Sequence, residues 1–444
     1  MFFISSSPTH YNASFRNFRL YSDKNDGYEA LPRVLCFILT SPKYFLSRTK
    51  AVNETWASRC DRHFFVTEYS QEKMTSEEIR FAKHISIAPL KNITPGYDHL
   101  TQKSTSAFLF AYDNYFNDFE WFVKADDDTF LIVEHLKEFL MVPNTPAKAR
   151  WTPNGVTVAG GHGYGSSTNQ LWDPEGLFID DDETVVIADC VNDRIIQWKM
   201  GATSGQIVAG GNGQENRLDQ LNRPADVLID KVTDSLIICD QENRRVVRWS
   251  RRNSTTQGEI LIDNIDCYGL ALDDQRYLYI SDVKKQEVRR YQIGHKKGTV
   301  VAGGNGKNAG LNQLNDPNYI FVDQQQTVYV SDNGNHRVMK WHKGAKEGII
   351  VAGGQGEGNA LTQLSYPNGL FVDRLDTIYV ADCGNDRVMC WPKGAKQGTV
   401  IVGGNGEGAR ANQFNGLRGL SIDLQGNLYV VDHYNNRVQR FSIE

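Results

Sequence analysis

The sequence predicts two unlike parts: an α/β domain over residues 33–146 and an all-β propeller of six blades over residues 151–444. Residues 1–32 are left unassigned. The propeller is indicated by six near-copies of one unit, each about 50 residues long and filled with short strands and turns. No unit contains an apolar period of 3.6 residues, which excludes a helical solenoid. The first part instead alternates strand and helix patterns, which favours a mostly parallel, Rossmann-like sheet.

Each repeat unit carries four strand signals, rich in β-branched residues. The first follows a proline, as in Pro367–Asp373, and the second ends in aspartate, as in Val328–Asp332. The third begins at an arginine, as in Arg337–Trp341, and the fourth ends in paired glycines, as in Ile350–Gly354. Four strands per unit are the number that one propeller blade requires.

The two ends of the repeat region complement each other. A lone fourth strand, Val156–Gly161, precedes the first unit, whereas the last unit stops after a third strand at Phe441. We therefore expect the N-terminal strand to complete the last blade, which closes a complete ring and leaves no exposed sheet edge.

The repeats resemble NHL repeats through the motif Asp-x-x-Asn-x-Arg, and the third unit departs from it with Lys285 and Glu287 after Asp282. Because the motif recurs in nearly every blade, we interpret it as a structural turn with an internal ion pair rather than as a catalytic group. The motif pairs are Asp189 and Arg194, Asp240 and Arg245, Asp332 and Arg337, Asp382 and Arg387, and Asp432 and Arg437.

The NHL resemblance implies a binding platform, most often for protein and in some members for RNA. Basic residues cluster in the second and third units, but few aromatic residues interleave with them, so a solvated face is favoured over a nucleic-acid site. The cluster consists of Arg244, Arg245, Arg248, Arg251, Arg252, Lys284, Lys285, Arg289 and Arg290. Some related propellers are zinc-dependent lyases; here His336 and His433 share no metal-binding spacing.

The α/β domain is predicted from alternating patterns. Strands are expected at 33–40, 63–67, 84–88 and 120–124, and helices at 46–59 and 98–116. Asp126, Asp127 and Asp128 follow the last strand, at the edge where open α/β sheets bind ligands. Oxygen ligands suit Mg²⁺ or Mn²⁺, although an acidic loop or a helix cap at Asp128 would also explain the run.

The segment Trp121–Phe130 resembles the metal motif of the β1,3-galactosyltransferases, and of the core 1 type in particular. The segments Arg33–Cys36, Thr55–Cys60 and Lys103 with Ala107–Phe108 agree with it. The resemblance implies a GT-A fold that binds UDP-galactose with Mn²⁺. It assigns the metal to Asp126, Asp127 and Asp128, the nucleotide sugar to Lys103, Lys124 and Asp126, and a disulfide to Cys36 and Cys60.

The galactosyltransferase resemblance stops where the acceptor half of such an enzyme would begin, so the domain is expected to be truncated. Inverting transfer needs a carboxylate that deprotonates the acceptor hydroxyl, and residues 33–146 offer no convincing candidate. Two functions therefore compete. The first is a propeller that binds a protein or glycan and carries a catalytically incomplete nucleotide-sugar domain. The second is an active glycoprotein-N-acetylgalactosamine 3-β-galactosyltransferase-type enzyme. A fusion of two unrelated gene products is the third reading.

Composition limits the kinds of partner and the cellular compartments that can be expected. The formal net charge of −5 gives the molecule no general preference for polyanions. No apolar run is long enough for a membrane span or a signal anchor, so the chain is expected to be cytoplasmic or to begin upstream of Met1. The galactosyltransferase resemblance implies the Golgi or secretory lumen. The seven cysteines contain no Cys-x-x-Cys pair, which makes zinc an unfavoured ligand.

Overall fold

The short apolar runs of the repeats form strands because β-branched and aromatic side chains pack well on a pleated surface. The structure is a computed structural model and describes residues 2–3, 34–40, 45–55, 57–67, 71–88, 106–107, 110, 121–126, 149–251, 256–373 and 375–444. The chain divides into two units, Met1–Val142 and Pro143–Glu444.

The second unit contains six four-stranded antiparallel sheets, which confirms the predicted propeller. Blade 1 comprises β6 (Pro174–Ile179), β7 (Val185–Asp189), β8 (Arg194–Trp198) and β9 (Gln206–Gly210). Blade 2 comprises β10 (Pro224–Asp230), β11 (Ser235–Asp240), β12 (Arg245–Ser250) and β13 (Glu259–Asp263). Blade 3 comprises β14 (Cys267–Leu272), β15 (Tyr277–Asp282), β16 (Glu287–Gln292) and β17 (Thr299–Gly303).

The remaining blades repeat this pattern. Blade 4 comprises β18 (Pro317–Val322), β19 (Val328–Asp332), β20 (Arg337–Trp341) and β21 (Ile349–Gly353). Blade 5 comprises β22 (Pro367–Val372), β23 (Ile378–Asp382), β24 (Arg387–Trp391) and β25 (Thr399–Gly403). Blade 6 comprises β26 (Leu417–Ile422), β27 (Leu428–Asp432), β28 (Arg437–Phe441) and β5 (Val156–Gly160).

Blade 6 is closed by the strand that precedes blade 1, as expected from the sequence. β5 pairs antiparallel with β28, with Gly160 opposite Arg437 and Val156 opposite Arg440. The first strand of each blade contacts the first strand of the next, and the circle ends with β26 against β6. These six strands therefore surround the propeller axis.

Large aromatic side chains fill the space beneath the outer strands. Four buried tryptophans lie at or next to the ends of the third strands: Trp198, Trp249, Trp341 and Trp391. A glycine precedes each corresponding outer strand; a Cβ on Gly348 would lie 2.8 Å from the Trp341 ring, and one on Gly398 equally close to Trp391. Glycine at this position therefore lets the fourth strand approach the indole face.

The first unit contains a parallel sheet in the order β1-β4-β2-β3. Its strands are β1 (Phe2–Phe3), β2 (Val34–Leu39), β3 (Arg62–Val66) and β4 (Trp121–Asp126). β2, β3 and β4 confirm the predicted strands, whereas β1 arises from the segment that the sequence left unassigned. Around Ile87 the predicted strand is reduced to a single parallel bridge with Phe65.

The single helix predicted over 46–59 is wrong. The chain forms a π-helical turn at Phe45–Thr49, helix α1 at Lys50–Glu54 and a 3₁₀ turn at Ala57–Arg59. Thr55 caps the C-terminal end of α1. Its hydroxyl donates to Ala51 O at 2.7 Å and so competes with the helical hydrogen bonds. Most of the predicted helix 98–116 lies outside the described residues.

A second helix, α2 (Ser76–Ala82), was not predicted. It begins with a capping box: Glu78 N donates to Thr75 Oγ1 at 3.3 Å, and Thr75 N donates to Glu78 Oε2 at 2.7 Å. The sequence Thr-x-x-Glu carries this signal and could have revealed the helix.

Candidate ligand-binding site of the propeller

The predicted metal and nucleotide-sugar residues are placed only in part. Asp126 ends β4 and pairs with Leu39, the last residue of β2, so it stands at the carboxyl edge of the parallel sheet. Lys124 lies two residues earlier in the same strand, opposite Phe37. The side chains of Lys124 and Asp126, and all of Lys103, Asp127 and Asp128, lie outside the described residues.

Two disulfides are present. Cys36 in β2 is joined to Cys60 after the 3₁₀ turn, as the galactosyltransferase resemblance implied. Cys239 in β11 is joined to Cys267, the first residue of β14, and so links blade 2 to blade 3. Sequence reasoning did not find this second pair.

The recurring arginine of the repeats holds the loop that joins two blades. Arg337 Nε lies 2.7 Å from Asp332 Oδ2, and its other nitrogens donate to the carbonyls of Ala309, Gly310 and Gln313. Asp332 Oδ1 accepts from Asn315 N at 2.7 Å, in the same loop. We call this arrangement the loop clamp. It also forms at Asp189 and Arg194, Asp240 and Arg245, Asp382 and Arg387, and Asp432 and Arg437.

The third blade lacks the loop clamp because it lacks the loop. Residues 304–316 separate blades 3 and 4, but only residues 264–266 separate blades 2 and 3. No long loop offers carbonyls to an arginine, and Glu287 occupies the position instead, paired with Arg289. The Cys239–Cys267 disulfide connects the two blades at this junction.

The clamp aspartates are buried and paired at once. Burial raises the pKa of Asp189, Asp240, Asp332, Asp382 and Asp432 in spite of the arginine beside each. Each of these carboxyls accepts hydrogen bonds from a backbone N–H and an asparagine as well as from arginine. The motif is therefore a structural support and not a reactive site.

The basic cluster of blades 2 and 3 is largely neutralised. Arg244 lies 3.0 Å from Asp266, and Arg251 bonds Asp180 at 2.8 Å. Arg248 pairs with Glu259. Since these guanidinium groups already have carboxylate partners, the cluster offers little free charge to a nucleic acid.

A ring of varied side chains surrounds the axis at one end of the propeller. These side chains follow the first residue of each innermost strand, where four of the six strands have a proline. In every blade the register with the second strand shifts at this point. The ring consists of Glu175, Ala225, Tyr268, Asn318, Asn368 and Arg418.

The axial ring residues contact one another across the blades. Tyr268 Oη donates to Glu175 Oε2 at 2.6 Å, and Arg418 Nε lies 3.4 Å from the same oxygen. On the other side, Asn318 Nδ2 donates to Asn368 Oδ1 at 3.0 Å. The ring thus combines a carboxylate, a guanidinium, a phenol and two amides in one buried place.

Two further side chains lie directly beside the axial ring. Asp226 and Tyr319 stand where the other four innermost strands have glycine, and each is less than a tenth exposed. Tyr319 Oη is buried and finds no hydrogen-bond partner among the described residues. A buried hydroxyl without a partner is costly, and a ligand or water that bonds to it would remove this cost.

Titratable groups near the axial ring favour their protonated forms. Burial raises the pKa of Tyr268 and Tyr319, and raises that of Asp226 to about 7. The neighbouring thiol of Cys190 has its pKa raised to about 12, chiefly by burial. The Cys190 thiol is therefore protonated at neutral pH.

Sequence reasoning missed the axial ring because it searched for what the repeats share. The useful signal was the opposite one: the position after Pro174, Pro224, Pro317 and Pro367 changes from blade to blade while its surroundings stay constant.

Among the described residues no three His, Cys, Asp or Glu side chains converge as metal ligands would. In the same part of the chain, no helix has the length and apolar character needed to cross a bilayer.

The fold is a β-propeller of six blades that follows an α/β domain. Residues 30–147 match the Fringe-like family, and residues 414–441 match the NHL repeat. The chain thus carries an N-terminal Fringe-like domain of the GT-A glycosyltransferase type, followed by an NHL-type propeller.

Two glycosyltransferases are similar to the N-terminal part. Glycoprotein-N-acetylgalactosamine 3-beta-galactosyltransferase 1 of Xenopus laevis is 31% identical over 108 residues, which are 24% of this chain and 27% of that enzyme. Chondroitin sulfate synthase 3 of Mus musculus is 27% identical over 110 residues, 24% of this chain and 12% of that protein. The chain therefore spans only about a quarter of the first relative and less of the second.

Solved structures resemble the propeller. An auxiliary nutrient binding protein of Bacteroides thetaiotaomicron gives a TM-score of 0.53 at 15% identity, over 66% of this chain and 77% of the other. A protein of unknown function from the same organism gives 0.53 at 14%, over the same shares. The auxiliary nutrient binding protein of Bacteroides ovatus gives 0.50 at 14%, over 67% and 78%. Identities this low show the fold alone.

Proposed function

We propose that this protein is a binding module whose propeller holds a protein or glycan partner at the axial ring, and that its Fringe-like domain binds a nucleotide sugar. The observation that carries the proposal is the axial ring itself, where Tyr319 Oη is left without a partner beside the Glu175–Arg418 pair. Convergent polar groups in a concave place are the usual mark of a ligand site. The nutrient-binding proteins of the same fold are consistent with such a role.

Binding accounts for the propeller better than catalysis does. Its thiols and phenols near the axis are held protonated, and the repeated carboxylates are committed to loop clamps. The axial ring therefore has hydrogen-bond donors and acceptors but no activated nucleophile.

Glycoprotein binding with matched variants tests the proposed module. The full-length protein would be titrated against an immobilised O-glycosylated protein and against the same protein after its glycans are removed. We expect Arg418→Met to weaken binding about tenfold or more, because it removes one half of the central ion pair. The exposed variant Arg217→Met serves as the control. If Arg418→Met and Arg217→Met both bind like the wild type, the axial ring is not the site.

For the Fringe-like domain we propose UDP-galactose and Mn²⁺ as ligands. Three consecutive carboxylates suit Mn²⁺, and Asp126 stands at the carboxyl edge where β2 and β4 both end. When bound, the ion would bridge the diphosphate and neutralise its charge. Lys103 and Lys124 are the proposed partners of the nucleotide sugar.

Calorimetry tests whether the Fringe-like domain binds the nucleotide in a metal-dependent way. We expect UDP to bind with Mn²⁺ and not without it, and the double variant Asp126→Ala, Asp128→Ala to lose this binding. The exposed pair Asp181→Ala, Asp182→Ala in the propeller controls for the loss of two carboxylates. Transfer of galactose to an N-acetylgalactosamine acceptor would favour the second candidate, a galactosyltransferase, which the Xenopus relative supports. Binding without transfer supports the incomplete domain.

The two disulfides support a proposal for the compartment. Cys36–Cys60 and Cys239–Cys267 both require an oxidising environment to persist. We propose the secretory or Golgi lumen, in keeping with the glycosyltransferases that the N-terminal part resembles.

A further inference from the structure

Two aromatic side chains are exposed on the loop between blade 6 and blade 1. Tyr164 is 69% exposed and Trp172 39%. Their rings contact each other, with centroids 5.4 Å apart. We call these two residues the aromatic patch. Clustered exposed aromatic rings cost solubility, and on a soluble domain they usually mark a binding surface.

The aromatic patch departs from the repeat that surrounds it. Tyr164 forms a β-bridge with Leu171, the residue before Trp172. The same bridge recurs in four other loops, so the counterparts of Tyr164 and Trp172 can be identified. In three of these loops the counterparts are hydrogen-bonded polar pairs: Gln214 with Asn222, Glu357 with Ser365, and Glu407 with Asn415. The loop geometry is thus satisfied by polar residues, and folding alone does not require aromatic rings here.

The aromatic patch adjoins the axial ring along the chain, since Trp172 lies three residues before Glu175. Asp173, which follows Trp172, donates its N–H to Asn436 Oδ1 at 2.9 Å, in the turn between β27 and β28. In the same turn His433 Nδ1 lies 2.9 Å from Pro174 O and 3.6 Å from Glu175 Oε1. Aromatic faces and the polar groups of the ring thus border one surface.

The charges in this region exclude some ligands. An aromatic cage with a free carboxylate would suit a quaternary ammonium, but Glu175 is 3.4 Å from the Arg418 guanidinium, which balances its charge. The remaining groups offer neutral hydrogen bonding beside flat apolar rings. A pyranose matches this combination, because one face presents C–H bonds to an aromatic ring while its hydroxyls bond to carboxylate, guanidinium and amide groups.

We propose that the aromatic patch and the adjoining Glu175–Arg418 pair form a binding site for neutral oligosaccharides. Tyr164 and Trp172 form the stacking platform, and Glu175 with Arg418 bonds the hydroxyls of the same ligand. This assignment rests on the proposed binding function and narrows its partner to the glycan class.

Tryptophan fluorescence provides a direct readout of this site. Of the tryptophans whose side chains the structure describes, Trp172 is the exposed one, while Trp198 and Trp249 are buried. The full-length protein would be titrated with lactose, chitotriose and mannotriose. We expect at least one of them to shift the emission to shorter wavelength, and Trp172→Phe to abolish the shift while calorimetry still detects binding.

Matched variants decide the outcome. Trp172→Ala should weaken oligosaccharide binding about tenfold or more, whereas Tyr366→Ala, which removes an exposed aromatic ring from another interblade loop, should leave it unchanged. The proposal is overturned if none of the three sugars binds, if Trp172→Ala binds as well as the wild type, or if choline binds more tightly than the sugars.

Failure here is distinct from failure of the proposed function. Binding to a glycoprotein that survives removal of its glycans and is still lost in Arg418→Met would overturn the oligosaccharide site and retain the binding module. Glycoprotein binding that is insensitive to Arg418→Met would reject the axial ring as the binding site and so overturn the proposed function.

Discussion

One arginine in each of five repeats determines where the interblade loop lies. Its Nε pairs with a buried aspartate, and its remaining nitrogens donate to carbonyls of the loop. This arginine is absent from blade 3, where the interblade loop is short. The arginine therefore stabilises the interblade loop rather than the turn that precedes it.

Removal of one loop clamp should be strongly destabilising. Arg387→Met leaves the buried carboxylate of Asp382 without its cation and removes the guanidinium hydrogen bonds to three loop carbonyls. We expect the unfolding free energy to fall by about 3 kcal/mol or more. Urea denaturation measures it, with Arg217→Met, on an exposed loop position, as the control that should leave the midpoint in place. Equal midpoints for both variants would show that the clamp is dispensable.

Asp226 should make stability depend on pH. Its folded pKa of about 7 exceeds the ordinary value of 3.8, chiefly because of burial, so the folded state holds the proton more tightly than the unfolded chain. The associated stabilisation is complete below about pH 4 and is lost as the pH rises through 7. We expect a slope of up to about 1.4 kcal/mol per pH unit in this window.

The variant Asp226→Asn isolates this contribution. Urea denaturation at several pH values should give a flatter profile between pH 4 and 7 for the variant than for the wild type. The exposed Asp263→Asn controls for the change in net charge. The quantity compared is the slope of the unfolding free energy against pH, not its absolute value. Parallel profiles for Asp226→Asn and the wild type would contradict a raised pKa of Asp226.

At the scale of elements, one blade junction is built differently from the others. Blades 2 and 3 are joined by residues 264–266 and by the Cys239–Cys267 disulfide, whereas the loops of the other junctions are held by clamps. The junction between blades 2 and 3 is thus held by a disulfide, whereas the other blade junctions are held by hydrogen bonds to a longer loop.

Removing the disulfide should weaken this junction. For a separation of 28 residues between the two cysteines, loss of the constraint on the unfolded chain predicts a destabilisation of about 3 to 4 kcal/mol. The double variant Cys239→Ala, Cys267→Ala tests this by chemical denaturation. Cys390→Ala, which removes a free thiol, is the control. A midpoint unchanged in the double variant would show that packing alone holds blades 2 and 3 together.

Strands of the propeller could be predicted almost residue by residue because their alternation repeats six times. The third strand predicted from Arg337 to Trp341, for example, has these bounds in the structure. The helix predicted over 46–59 could not be placed correctly, because Thr55 bonds locally to Ala51 and the chain must turn to bring Cys60 to Cys36. Side-chain competition of this kind is invisible to apolar periodicity.

At the scale of the whole molecule, ring closure depends on one strand. β5 gives β28 its only outer partner, and Trp151 just before it is buried, with Nε1 donating to Gly426 O at 2.9 Å. The described propeller residues thus form six complete sheets through a pairing that spans the repeat region.

Two truncations test the closure. A chain that begins at residue 149 retains Trp151 and β5, whereas one that begins at residue 162 loses both. We expect the first to unfold cooperatively, and the second to lose several degrees or more of melting temperature and to aggregate, because β28 becomes an exposed edge. Circular dichroism and light scattering would compare them. Equal melting of the two chains would exclude β5 as the closing element.

The candidate site was far less predictable than the fold. Repetition revealed the structural aspartates and arginines, such as Asp432 and Arg437, because a pair that recurs in five of the six blades is one that the blade needs. The axial ring and the aromatic patch consist of positions that break the repeat, and Glu175 meets Arg418 only after the ring has closed. The contact between these two residues is a property of the closed ring, which no single unit encodes.

Closure by β5 also orders events in time. Blades 1 to 5 are each built from a continuous stretch of chain and can form as soon as that stretch leaves the ribosome, but β5 must wait until β28 has been synthesised. Until then it remains an unpaired strand, and Glu175 has no Arg418 to meet. Because pairings between distant segments form slowly, the last blade should set the pace of folding. The newly made chain therefore passes through a period in which five blades are formed and the axial ring is incomplete.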